Sequence, residues 1–493
     1  MDRRHRGVRR RRAGVGRVRR GQDARPLRGG AGGRRIDGDR ARDRGLCVQS
    51  EDIMARNDVR YDAFRRITGE SEPKEPKMNP PRSGDEQRLE AKWPDRRDDR
   101  VTRLFVGTYA SREGAVSRTE GSVQSWMVDP ETGVLVQHSE TEIGIEAGYL
   151  ALTPDRRALV VVDERKTDGR GPVGRPAAVL SLGLADDGLT LSRTARQPAL
   201  GPFPTYVSLH PRGVAAVVAS HGSFEHVERV VRGENGYDVE YTYDDSTVAV
   251  YPLAPDGTLQ QASDVVVLEG HGVDPHRSAQ AGGHPQATAH AHSAQFDPSG
   301  EFVIVCDKGT DRILVYRLCE DLTLALTSTF VAPAGSAPRH PAFHPSRPLV
   351  FVSDELASTV SSYRFHTDSG TLVHMATVSS LAPYASRSSE PADIQVDPSG
   401  RYVVVNNRGQ DSLVSFAIAD DGTVEYAHSV QLAESVHPGL AARSFRFDVT
   451  GRWLFVADRP ANAIITLEFD PGSGSMREVS RAAIADPAFV LPC

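Results

Sequence analysis

The sequence predicts an all-β fold over residues 101–493, a seven-bladed β-propeller with four-stranded blades. Three observations lead there. Short β-branched runs alternate with turns rich in Gly, Pro, Asp and Ser. Self-comparison shows a repeat of roughly 50 residues, a period typical of propellers and arrays. One apolar strand type occurs seven times: Leu104–Tyr109, Leu159–Asp163, Val214–Ser220, Phe302–Asp307, Leu349–Asp354, Tyr402–Asn407 and Trp453–Asp458.

The other strands follow from these. A second type comes after each: Ser122–Val128, Ala177–Leu184, Thr247–Leu253, Arg312–Leu318, Thr359–Phe365, Ser412–Ile418 and Ala463–Phe469. A third, outer type follows a Gly- or Asp-rich turn, as in Gly133–Ser139, Gly370–Val378 and Gly422–Val430. A fourth precedes the first type, at Tyr149–Thr153, Tyr206–His210, Ser293–Asp297, Pro341–His344, Ile394–Asp397 and Ser444–Asp448. That is one short. The last apolar run, Pro487-Ala488-Phe489-Val490-Leu491, supplies the missing strand, so a C-terminal strand completes the N-terminal blade and leaves no open edge. Two segments break the spacing. Phe224–Asp245 interrupts the third repeat, and its Tyr241-Thr242-Tyr243 suggests an extended hairpin; Glu269–Ala289 is a His- and Gly-rich loop. Long loops in a compact repeat fold are often functional.

Residues 1–100 are poor in apolar residues and rich in Arg, Asp, Gly and Pro, and are expected to be a disordered extension. Residues 1–50 hold 17 Arg, no Lys and 5 Asp, which leaves the rest with 42 basic and 60 acidic residues. A body that acidic argues against nucleic acid as the partner. No run of about 18 apolar residues occurs, so no membrane span is expected. Four scattered cysteines form no CxxC pair, which fits a reducing, cytoplasmic setting. A monomer without cofactor is expected.

In a propeller the innermost strand of each blade lines a central channel and its neighbour runs antiparallel. The starts of the first and the ends of the second share one face of the disk. The starts carry His290, His292, Arg339, His340, Asp393 and Arg443. The ends carry Asp163-Glu164, Ser220-His221, Asp307-Lys308, Asp354-Glu355, Asn406-Asn407-Arg408 and Asp458-Arg459. Asp and Asn at strand ends are ordinary turn residues, and turn chemistry accounts for Asp307, Asp354 and Asp458. Arg and His at strand starts have no such role. Guanidinium forks bind carboxylate or phosphate, and His or Glu can move protons near neutral pH. The mouth therefore suits a small anionic, oxygen-rich substrate. His290-Ala291-His292 could also ligate zinc, with a third ligand from His271, His276 or His284, but no spacing enforces this and no metal is expected. No Gly-rich phosphate loop, GxSxG elbow or Ser-His-Asp order is present.

Leu104-Phe105-Val106-Gly107-Thr108-Tyr109, Asp129-Pro130-Glu131-Thr132-Gly133, Tyr149-Leu150-Ala151-Leu152-Thr153-Pro154-Asp155, His290-Ala291-His292-Ser293, Pro338-Arg339-His340 and Asn406-Asn407-Arg408-Gly409 resemble the seven-bladed propeller lactonase family. That family contains bacterial propeller-type 6-phosphogluconolactonases and fungal carboxymuconate lactonizing enzymes. The resemblance covers about residues 103–491. It implies hydrolysis of 6-phosphoglucono-1,5-lactone in the pentose phosphate pathway, with active-site positions at His292, Arg339, Glu355 and Arg408. The chain departs from the family pattern at Asp393-Ile394-Gln395, where Glu-Ile-His is usual, and at Ala442-Arg443-Ser444-Phe445, where Pro-Arg-His-Phe is usual. The roles expected are catalytic for His292, Glu355 and Arg339, and substrate-binding for His290, His340, Asp393, Arg408 and Arg443. A muconate-type lactonizing isomerase and a non-enzymatic protein-binding propeller are the alternatives.

Overall fold

Alternating apolar strands that cannot hide both faces alone must stack, and here seven sheets do so. The computed structural model describes residues 102–110, 121–167, 174–273, 286–383, 385, 389–436 and 440–493. The extension over 1–100 and residues 274–285 of the His-rich loop, with His276 and His284, lie outside the described residues. Each of seven antiparallel four-stranded sheets forms one blade. The innermost strands of blades two to seven are Ala147–Leu152, Pro204–Leu209, Ala291–Phe296, Pro338–Phe343, Glu390–Val396 and Ser444–Phe447. Blade one takes its innermost strand from the far end of the chain: Pro487–Pro492 pairs with Arg103–Thr108, setting Phe105 opposite Leu491 and Val106 opposite Val490. The closure expected from the missing strand is therefore present.

The second strand of each blade is the most deeply buried. Ala158–Asp163, Ala215–Ser220, Phe302–Asp307, Leu349–Asp354 and Trp453–Asp458 are buried along their whole length. Sheets covered on both faces produce continuous apolar runs, which is why this strand type was the clearest in the sequence. The outer strands are largely exposed instead, alternating only toward their ends. Blades lock together through small residues at the turns. Gly400, at φ 72°, lies against the His344 ring of the preceding blade, and a Cβ there would stand 2.6 Å from the ring.

Several strand starts differ from the sequence pattern. The innermost strands of blades two to five begin at Ala147, Pro204, Ala291 and Pro338, two or three residues earlier than the alternation indicates. The reason is a β-bulge near each start, which inserts one unpaired residue and breaks the two-residue period. The insertion in blade three is a hairpin, His226–Gly233 paired with Gly236–Tyr243, and most of its side chains are exposed.

Candidate active site

The bulges aim the site. In each of blades two to five one residue is skipped in the pairing: Gly148, Thr205, His292 and Arg339. Arg443 stands at the equivalent place, just before the innermost strand of blade seven. Thr205, His292, Arg339 and Arg443 all line one cavity of about 500 Å³. The second strands contribute through another fixed position. One position at the strand end holds Thr108, Asp163, Ser220, Asp307, Asp354, Asn407 and Asp458, and the residue after it differs from blade to blade: Tyr109, Glu164, His221, Lys308, Glu355, Arg408 (still within its strand) and Arg459. Glu164, His221, Lys308, Glu355 and Arg408 line the same cavity.

The fixed residues are scaffold. Asp307 accepts from the backbone N–H of His290 at 2.7 Å and of Gly309 at 3.1 Å. Asp354 accepts from Thr359 and Ser361. The Gly309 bond of Asp307 is turn chemistry, whereas Asp354 is held by hydroxyls of the following strand.

Glu355 is the centre of a buried ion cluster. Its Oε1 meets Lys308 Nζ at 2.8 Å and Arg408 Nη2 at 3.2 Å; its Oε2 meets Arg339 Nε at 3.0 Å. Arg408 also faces Glu390 at 3.4 Å. All five side chains are nearly inaccessible. Burial pulls the Lys308 ammonium below its usual range, against the opposing pull of Glu355. Burial and then the neighbouring Arg408 lower Arg339 to about 10. Arg339 therefore remains charged at neutral pH. Glu355 does not neutralise all of its partners, and removing one member of such a cluster would strand buried charge.

Across the cavity, Gly148 has no side chain, and a Cβ there would clash with Glu164 at 2.3 Å. Glu164 fills that space, accepts a hydrogen bond from Tyr109 and pairs with Arg443 at 3.3 Å. The base of the insertion supplies Phe224, whose ring centroid is 5.5 Å from Lys308 Nζ.

His292 lies between these groups. Burial, then Arg339 and His340, hold its imidazole well below 6.5, so it is neutral at pH 7. Its Nδ1 is 3.2 Å from His340 Nε2, which leaves Nε2 for water or substrate.

Three residues expected to touch substrate sit elsewhere. His290 does not line the cavity; it stacks on His221 with centroids 4.4 Å apart, and its Nδ1 meets the His221 carbonyl. His340 and Asp393 line an adjoining pocket of only about 20 Å³, whose wall shares Glu164, Thr205, His292, Arg339 and Arg443 with the cavity. In blade five the bulge separates the two: the skipped Arg339 lines the cavity, and the next residue, His340, packs beneath it. Strand-start positions alone could not make that distinction. Lys308 and Glu164 were within the strand-end set but not singled out, and their signal was the variable place after a fixed Asp. Nothing in the sequence pointed to Phe224 beyond its place in an insertion. Among the described residues, no group of three or more His, Cys, Asp or Glu side chains is placed to hold a metal ion.

The model of the lactonase family, described as seven-bladed β-propeller, matches residues 103–492. The chain is 27% identical over 376 residues to a 6-phosphogluconolactonase of Bacillus subtilis, spanning 76% of this chain and 92% of that protein. A periplasmic gluconolactonase of Pseudomonas aeruginosa superposes with a TM-score of 0.65 at 24% identity, covering 80% of this chain and 99% of that one. A crystal structure described as a putative 6-phosphogluconolactonase, from Bacteroides fragilis, gives 0.64 at 23% identity, with 80% and 98% covered. At these identities the structural likeness speaks for the fold.

Proposed function

Because the chain belongs to the seven-bladed β-propeller lactonase family, we propose that it hydrolyses a sugar lactone, with 6-phosphoglucono-1,5-lactone as the substrate. One observation carries this reading: Lys308, Arg339, Arg408 and Arg443 converge with a neutral histidine on a single cavity. The relatives named 6-phosphogluconolactonase support the substrate.

In the mechanism, His292 Nε2 draws a proton from water as the water oxygen attacks the lactone carbonyl carbon. The carbonyl oxygen becomes an oxyanion, and the Arg339 guanidinium stabilises it. Such a preorganised donor supplies about 3–4 kcal/mol. Collapse breaks the ring carbon–oxygen bond. The departing ring oxygen recovers the proton from His292, giving a hydroxy acid. Arg408, Lys308 and Arg443 hold the phosphate. Glu355, with both oxygens engaged by cations, fixes the direction of Arg339 and Arg408. No metal or cofactor enters these steps.

The test is turnover of freshly prepared 6-phosphoglucono-1,5-lactone by purified protein. A wild-type rate no higher than spontaneous hydrolysis would sink the assignment. The lowered imidazole of His292 also predicts that the acid limb of kcat/KM, where the base is protonated, lies at lower pH than for an ordinary histidine. If a carboxylated muconolactone is consumed and the sugar lactone is not, the lactonizing alternative takes its place. A protein-binding role has one observation in its favour: Val230, Tyr237, Val239 and Tyr241 on one face of the hairpin are exposed. Such binding would survive substitution of His292 and Arg339.

A further inference from the structure

We infer that Asp393 and His340 are positioning residues for His292: the hydrogen-bonded chain Asp393–His340–His292 fixes the tautomer that leaves His292 Nε2 bare. This rests on the assignment of His292 as the general base.

The chain has one consistent arrangement of protons. Arg339 Nη1 lies 3.3 Å from His340 Nε2. A guanidinium only donates, so His340 Nε2 is an acceptor. Neutral His340 then carries its hydrogen on Nδ1, which stands 3.3 Å from Asp393 Oδ1. A carboxylate there accepts it. The two ends of the ring thus give the same tautomer independently. The single lone pair of His340 Nε2 is shared between Arg339 Nη1 and His292 Nδ1, 3.2 Å away, so His292 Nδ1 is a donor as well. The second nitrogen of His292 is left with its lone pair for the proton of water.

The surroundings keep the chain in this state. Asp393 also accepts from the Ile394 N–H at 3.0 Å, the Phe445 N–H at 3.3 Å and the Arg446 guanidinium. Burial opposes its charge, but Arg446 and His340 outweigh burial and lower it to about 2. Burial, then Arg339, lowers His340 to about 4, so it stays neutral. The Tyr149 and Tyr206 rings stand edge-on to His340, at 6.3 and 5.1 Å between centroids, and Arg446 holds the Tyr149 hydroxyl. The ring cannot turn without displacing them. Neither Asp393 nor His340 lines the large cavity; His340 meets it through its contacts with His292 and Arg339.

The test uses the full chain labelled with ¹⁵N-histidine. In wild type at pH 7, the His292 resonance, identified by its loss in His292→Gln, should show a protonated Nδ1 and a lone-pair Nε2. Asp393→Asn should disturb that pattern and lower kcat roughly 10–100-fold, as losing an orienting partner does, with KM changed less than about twofold. Asp393→Glu restores a carboxylate and should recover kcat to within about fivefold of wild type. A wild-type His292 protonated on Nε2 overturns the proposal, as does unchanged kcat in Asp393→Asn. If the tautomer is as stated but no lactone is turned over, the lactonase reading fails while the positioning chain stands.

Discussion

The two faces of the disk are built from the same strands and obey opposite rules. On the face away from the cavity, six blades repeat one turn. Asp297, Asp397 and Asp448 accept the backbone N–H of Phe302, Tyr402 and Trp453 at 2.7–2.9 Å. Thr153 accepts that of Ala158, and His210 and His344 do similar work on Arg212 and Arg347. On the cavity face, the bulge position and the place after each second strand hold a different residue in nearly every blade. Repetition marks what the fold needs of every blade. Its breakdown marks what a single asymmetric ligand needs. A substrate without sevenfold symmetry can be held only by residues that break the symmetry.

If that division is right, substitutions on the cavity face cost rate and those on the other face cost stability. Arg339→Ala should give the largest effect, lowering kcat by about 10²–10³, measured against spontaneous hydrolysis, with the protein still folded by circular dichroism. A rate within threefold of wild type would break the comparison at its strongest point.

Asp354 sharpens it, because it lies on the cavity face yet belongs to the repeating scaffold. Burial raises its carboxyl to about 7, despite bonds from Ser361 and Thr359. The folded value lies above the unfolded one, so the contribution to stability is complete below about pH 4 and is lost as pH rises through about 7. The gap corresponds to roughly 4 kcal/mol. Asn keeps an acceptor but puts an amide NH2 in the buried place of a carboxylate oxygen, which offsets about 1–2 kcal/mol. Asp354→Asn should therefore be more stable than wild type by about 2 kcal/mol at pH 8 and show no gain at pH 4. Denaturant midpoints at the two pH values measure this.

On the opposite face, Asp397→Ala should cost about 1–2 kcal/mol through the unsatisfied N–H groups of Ser399, Arg401 and Tyr402. Turnover per folded molecule should not change. A matching loss of kcat would mean that the two faces are coupled.

The sequence displayed the scaffold because burial on both faces writes long apolar runs, as in Phe302–Asp307, and because Asp297-Pro298-Ser299-Gly300 recurs with little change. It also displayed the class of position that forms the cavity. It did not display depth. His292 and His340 both stand near strand starts, but the bulges after Ala291 and Pro338 send His292 and Arg339 to the cavity and His340 beneath them. A bulge is a backbone event with no fixed residue type, so one sequence cannot reveal it. The Asp393–Arg446 pair is hidden for another reason: its partners lie on adjacent blades, the sixth and the seventh, and meet only when those blades pack.

Phe224 offers the finest test, because it belongs to neither set of repeated positions. It enters the cavity from an insertion, with His221 and His290 packed edge-on against it at 4.9 and 4.8 Å between centroids. It touches no proton-transfer group of the proposed mechanism. Its contribution is an apolar wall beside Lys308, which limits water around the ammonium and offers a ring face to the substrate. Removing it leaves the attack on the carbonyl intact and weakens binding in ground and transition states alike, which raises KM without lowering kcat. Phe224→Ala should raise KM by about 5–10-fold, on the order of 1 kcal/mol, with kcat within twofold. Steady-state kinetics on the same lactone decide it. A fall in kcat at constant KM would place the insertion in the chemistry and extend the asymmetric set beyond the inner strands.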